Sequence, residues 1–172
     1  MLRAYLRLVL FALGLLIGVQ APGFVDQYSK RVSAHYIEAS KNFAGFQRTA
    51  NLYFGGSIEA LIAHHESSAD AVFQDEAKNI AAIHVWLKKL ALELDAMNRS
   101  LFSRIFHVVF NPDKEILNET ITAYSYTVPL NQEAVLCGLI AAVLLAVLVE
   151  SLLIGAARLV RLTLGAPAAS RA

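Results

Sequence analysis

The sequence predicts an all-α protein in which two transmembrane helices flank an antiparallel, coiled-coil-like helical domain outside the membrane. Two apolar runs are long enough to cross a bilayer: 18 uncharged residues from Leu8 to Val25, and 24 residues from Ala134 to Ala157 with Glu150 as their one charge. Between these runs, apolar residues recur at steps of three and four, which is the period of an amphipathic helix. With 56% hydrophobic residues, the chain is also more apolar than an ordinary soluble domain.

The first predicted span, residues 1–23, contains Arg3 and Arg7 and then carries no charge as far as Val25. Such a segment is either a cleaved signal peptide or an uncleaved anchor. Small residues near the end of the run approach a cleavage site, but Pro22 would directly follow the cut, which favours the anchor. We expect the helix to continue beyond Pro22, because a proline can kink a helix without ending it.

The second predicted span covers residues 131–160 and leaves a short tail at 161–172. Cationic residues next to a span favour the cytoplasmic side of the membrane. Arginines lie ahead of the first apolar run, and two more, Arg158 and Arg161, directly follow the second. Both termini are therefore predicted in the cytoplasm, and residues 24–130 are predicted to form a domain on the other side.

Each predicted span carries a strip of small residues, along which another helix backbone can approach closely. The predicted helix-packing residues are Gly14, Gly18, Gly138, Ala142 and Ala146. The two strips are expected to face each other, although they could equally serve a homodimer.

Two ionisable residues continue these strips, Arg7 on the first span and Glu150 on the second. A charge inside the bilayer is costly when alone and usually has a partner. The sequence therefore predicts an Arg7 to Glu150 pair in the cytoplasmic half of the membrane. The alternative is that the two side chains extend separately to headgroups and water.

The predicted outer domain, residues 24–130, consists of helices joined by short turns. An apolar stripe over residues 25–53 predicts one long helix, which a glycine pair at 55–56 ends. Ser57 is expected to cap a short helix after that pair. A second stripe over residues 73–97 predicts another long helix, antiparallel to the first.

The segment Leu101–Phe110 predicts a short and very apolar helix. Its most apolar positions are predicted either as core or as a possible partner surface, against another chain or against lipid: Phe102, Phe106, Val109 and Phe110. A last helix is predicted to start with Asn111 as its cap and Pro112 as its first residue. Asp113 then lies in the first turn, and the helix is expected to run through Tyr124.

Three segments carry a resemblance to a known family: GLLIGVQAPGFVDQY from Gly14, NLYFGGSIEALIAHH from Asn51 and AYSYTVPLN from Ala123. Together they resemble an uncharacterised family of small two-pass inner-membrane proteins of Gram-negative bacteria, described as a domain of unknown function. The resemblance covers nearly the whole chain. It implies an inner-membrane location with a periplasmic helical domain, and it carries no catalytic or binding residue across.

The sequence points to no catalytic residue, cofactor or metal. The nearest approach to a metal site is His64, His65 and Glu66, with further histidines at positions 35, 84 and 107. Adjacent residues on a helix point about 100° apart, so His64 and His65 are poorly placed to bind one ion. His84 lies on an apolar stripe and is predicted as a hydrogen-bonded core residue. The single cysteine, Cys137, excludes an intrachain disulfide.

Two functional hypotheses follow from the sequence. The first is a non-enzymatic structural or accessory membrane protein whose outer helices contact an envelope protein, because the long apolar stripes resemble coiled-coil seams. The alternative is a ligand-sensing module that signals through a partner. The expected partners are the lipid bilayer and either an envelope protein or a second copy of the chain, whereas the absence of a basic patch excludes nucleic acid.

Overall fold

A computed structural model describes residues 2–126 and 131–164, and this part of the chain is helical without any strand. The all-α prediction is confirmed. Within the described residues there are six helices: α1 (Leu2–Tyr53), α2 (Ile58–Glu66), α3 (Ala71–Met97), α4 (Leu101–Phe110), α5 (Lys114–Thr122) and α6 (Gln132–Leu164). Two of them, α1 and α6, contain stretches long and apolar enough to span a membrane.

The chain divides into two compact units. The first contains the residues up to Gly23 and those from Ser125 onward, and therefore holds both apolar stretches. The second unit is formed by Phe24–Tyr124. Residues 125 and 126 thus belong with the apolar helices, although the sequence places them in the outer domain, and residues 127–130 of that domain lie outside the described residues.

Helix α1 continues through Pro22 without a break, as the sequence predicts. It ends at Tyr53 because Gly55 and Gly56 adopt positive φ angles of 59° and 88°, a conformation that glycine accepts without a steric penalty. The Gly56 N–H donates to the Ala50 carbonyl at 3.0 Å, and this carbonyl also accepts from the Phe54 N–H at 2.8 Å, so the chain turns back onto the end of the helix.

Helices α1 and α3 of the second unit are antiparallel. One buried cluster joins Val25 and Tyr28 of α1 to Met97 of α3, and a second cluster joins Phe43 of α1 to Ile80 of α3. Residue numbers rise along α1 as they fall along α3, which is the arrangement that the two apolar stripes predict. The two clusters form the core of the unit, and α4 and α5 pack against the first of them.

Side-chain caps fix where the shorter helices begin. The Ser57 hydroxyl accepts from the Ala60 N–H at 3.1 Å, as predicted, and Asp70 caps α3 through the Val72 N–H at 2.9 Å. The predicted start of the last outer helix is wrong by two residues, because Asp113 rather than Asn111 is its N-cap. This helix also ends at Thr122, so the predicted passage through Tyr124 is wrong.

Helix α6 begins after Asn131, whose side-chain oxygen accepts from the Ala134 N–H at 2.8 Å. It continues to Leu164, so the first four residues of the predicted tail 161–172 are helical. The remaining residues of that tail lie outside the part of the chain that the structure describes.

Candidate functional site

Helix α4 presents one apolar face at the surface of the second unit. The exposed fractions are 56% for Phe102, 61% for Phe106, 64% for Val109 and 64% for Phe110. Phe106 and Phe110 pack on each other with ring centroids 4.4 Å apart. Val108, on the other side of the helix, is 6% exposed and belongs to the core. The structure therefore places these four side chains at the surface and not in the core.

A buried carboxylate holds the opposite side of α4. Oε2 of Glu93 on α3 lies 2.9 Å from Nε2 of His107 on α4, and it accepts a 3.0 Å hydrogen bond from the Tyr28 hydroxyl on α1. Tyr28 is fully buried and Glu93 is 9% exposed. One carboxylate thus joins three helices, and it fixes which side of α4 faces outward.

The Tyr28 hydroxyl also links this cluster to the start of α5. It accepts from the backbone N–H of Asp113 at 2.8 Å, while it donates to Glu93. Burial raises the pKa of Tyr28, and the nearby Glu93 carboxylate raises it further. The hydroxyl therefore stays protonated and keeps its role as a donor.

Asp113 completes the cluster as a cap and as an ion-pair partner. Its Oδ1 accepts from the N–H groups of Glu115 and Ile116, at 3.0 Å each, and its Oδ2 forms an ion pair with Lys89 of α3. Burial alone would raise the pKa of Asp113, but the hydrogen bonds from Lys89 and from the two N–H groups outweigh it, so the pKa lies below its usual range. The bond to Asp113 raises the pKa of Lys89.

Sequence reasoning did not identify this cluster. Tyr28 lies on the apolar stripe over residues 25–53, whose period does not show that the hydroxyl forms hydrogen bonds. Glu93 is not among the predicted site residues. The signal was present, because Glu93 follows Leu90 by three residues and precedes Met97 by four, which is the spacing of core positions. An acidic residue at a core position indicates a buried partner for its charge.

In the first unit, the structure brings Arg7 and Glu150 together. The Arg7 guanidinium donates from Nη2 to Oε1 of Glu150, forming an ion pair between α1 and α6. The side chains retain 61% and 45% of their accessible surface, so the pair lies at the edge of the helix contact and not within it.

The small-residue strips of α1 and α6 meet in the same unit. A Cβ atom added at Gly14 would lie 2.7 Å from the Cα of Ala142, and one added at Gly18 would lie 2.8 Å from the Cα of Gly138. Ala142 is fully buried, and Ala146 is partly buried one turn further along. Within the chain, the two strips therefore pack against each other and leave no room for larger side chains.

The histidines of the second unit are dispersed. The rings of His64 and His65 lie 6.2 Å apart, and His35 pairs with Glu119 at 2.9 Å. Among the residues that the structure describes, no group of three or more His, Cys, Asp or Glu side chains is placed to hold a metal ion.

His84 differs from its prediction as a hydrogen-bonded core residue. Both ring nitrogens are buried without a hydrogen-bond partner, and the ring packs on Phe43 with centroids 5.1 Å apart. The Glu59 carboxylate lies 3.7 Å from Nε2, beyond hydrogen-bond distance. The side chain is partly buried beside Phe43 of the core, but it does not form the predicted hydrogen bond.

The comparisons with known proteins agree with the resemblance seen in the sequence. Neither a curated protein nor a solved structure matches the chain. The family model described as Protein of unknown function (DUF2937) matches residues 2–162, which is nearly the whole chain. The protein therefore belongs to this family of proteins of unknown function.

Proposed function

We propose that the protein is a two-pass protein of the bacterial inner membrane that acts as a structural or accessory subunit, with its helical unit in the periplasm in contact with an envelope protein. The apolar stretches of α1 and α6 support the two passes. Arginines lie before the first stretch and directly after the second, which supports termini in the cytoplasm. The long translocated segment between them is then the second unit, Phe24–Tyr124.

The observation that carries the proposed contact is a group of exposed apolar side chains where α1 ends and α3 begins. Tyr53 lies 28 residues beyond Val25 in one unbroken helix, a distance of about 42 Å at 1.5 Å per residue. At this end Leu52, Tyr53 and Val72 are 74%, 76% and 73% exposed. Because α1 and α3 are antiparallel, these side chains belong to the same end of the unit, and large exposed apolar groups there suit contact with another protein.

The contact can be tested by photo-crosslinking in native membranes. A photoreactive residue replaces Tyr53 in the full-length protein, and crosslinked products are identified by mass spectrometry. Leu92 of α3, which is 74% exposed, provides a matched control position. We expect one recurring envelope protein from position 53 and none from position 92.

Two results would count against the accessory function. Crosslinking only to a second copy of the chain would indicate a homo-oligomer. A protein that crosslinks to nothing would favour the alternative hypothesis of a ligand-sensing module, for which a small-molecule thermal-shift screen is the appropriate next measurement.

A further inference from the structure

We infer that the apolar face of α4 binds the outer surface of the bilayer in which the protein is anchored, so that α4 is an interfacial helix. The inference rests on the proposed membrane location. It assigns lipid, and not a protein, to the surface formed by Phe102, Phe106, Val109 and Phe110.

The first support is the position of α4 within the second unit. The rings of Phe24 and Tyr124, the first and last residues of the unit, lie 5.2 Å apart in an edge-to-face contact. The chain therefore enters and leaves the unit at one end. Val108 of α4 belongs to the same buried cluster as Val25, the last residue of the uncharged run of α1. Helix α4 thus packs at the end where the chain continues into the apolar stretches.

The second support is the shape of the exposed face. Positions 102, 106, 109 and 110 fall within about 100° around a helix, which makes one continuous stripe. With about 200 Å² for a whole aromatic side chain, the exposed fractions leave roughly 400 Å² of apolar surface in water. Three phenylalanines on one face suit the boundary between headgroups and acyl chains, while Val108 on the other side holds the helix to the core.

The third support is the distribution of charge. Between Asp95 and Asp113 the chain carries Arg99 and Arg104 and no acidic residue. The residues from Asp26 to Glu133 as a whole contain more acidic than basic side chains. The stretch around α4 therefore carries a local positive charge, which an anionic lipid surface attracts.

The contact of α4 can be measured with the full-length protein in vesicles of phosphatidylethanolamine and phosphatidylglycerol. Cys137 is first replaced by Ala, and a single new cysteine at Phe106 or Val109 receives a bimane fluorophore. Val85 of α3 is the control, because it is 66% exposed but lies near the middle of the helix pair. Quenching by a lipid with a shallow doxyl group is compared with quenching by iodide in the water.

We expect the labels at positions 106 and 109 to be quenched by the doxyl lipid severalfold more strongly than the label at 85, and by iodide severalfold less. Iodide quenching equal to that at position 85 would overturn the inference, because the face would then lie in water. Labels that neither quencher reaches would also overturn the inference. The face would then be covered by protein, and in vesicles of the purified protein the covering chain is a second copy.

The same preparation separates this inference from the proposed function. Extraction with alkaline carbonate shows whether the protein is integrated into the vesicles. A protein that is extracted refutes the membrane anchor itself. A protein that resists extraction but carries a water-exposed label at both positions of α4 refutes the interfacial helix alone.

Discussion

Replacing Tyr28 by Phe removes one oxygen atom and two hydrogen bonds from a site that water does not reach. Tyr28 is fully buried, and its hydroxyl bonds the Glu93 carboxylate at 3.0 Å and the Asp113 N–H at 2.8 Å. The Asp113 N–H would be left buried without a partner, and Glu93 would lose one of its donors. The orphaned N–H costs about 1 to 3 kcal/mol and the lost hydrogen bond to Glu93 about 1 kcal/mol, which together lower the local stability by about 2 to 4 kcal/mol.

Amide hydrogen exchange in the full-length protein measures this loss where it acts. At about 1.4 kcal/mol per factor of ten, exchange at Val108 of α4 and Ile116 of α5 should accelerate by about 30-fold to 700-fold. Tyr36→Phe is the matched control, because Tyr36 also packs against this core but its hydroxyl has no hydrogen bond among the described residues. Equal exchange in the two variants would refute the view that the Tyr28 hydroxyl ties α4 and α5 to the helix pair.

Three further predictions concern the apolar helices and the cap of α5. Gly14→Leu should lower the melting temperature in detergent, because the Cβ atom of the new side chain would lie 2.7 Å from the Cα of Ala142. Gly155→Leu is the control and should leave the melting temperature unchanged, because no atom lies within 4 Å of a Cβ at that position. Equal melting temperatures of the two variants would contradict the close packing at Gly14. Glu150→Gln and Arg7→Gln should each lower the amount of protein in the membrane, because each removes the ion pair. The double variant should lower that amount no further than either single variant, since the pair can be lost only once. Additive losses would argue against the pair. The low pKa of Asp113 means that its ionised form stabilises the folded state above about pH 4, and that this contribution disappears as the pH falls from about 4 through the folded-state pKa. In acid titrations followed by circular dichroism, Asp113→Asn should flatten this limb, because an amide still caps α5 but cannot titrate or pair with Lys89; an unchanged limb would assign it to other carboxylates.

The sequence was sufficient for the features that depend on neighbouring residues. Apolar residues at steps of three and four predicted the long helices, and the glycine pair after Tyr53 predicted the end of α1. Ser57 was recognised as a cap because its partner N–H lies three residues ahead in the same chain. Each of these features is determined within one or two helical turns.

The features that the sequence did not predict depend on residues far apart in the chain. Asn111, Pro112 and Asp113 are all acceptable near a helix start, and the structure uses Asp113 because Tyr28, 85 positions earlier, accepts its N–H. The burial of Glu93 likewise becomes favourable only once Tyr28 and His107 lie beside it. A local pattern cannot decide between such alternatives, because their energies differ only after the helices have packed.

The contact between Phe24 and Tyr124 has a consequence for the order in which the protein assembles. In an unfolded segment as long as the second unit, Phe24–Tyr124, the two ends would lie roughly 50 to 60 Å apart on average. The folded unit instead holds the rings at its ends 5.2 Å apart. Its folding therefore raises the effective concentration of one apolar helix near the other, as a short tether does. A mutation that unfolds the second unit should accordingly weaken the packing of α1 on α6 in the first unit, even when no residue of the first unit has changed.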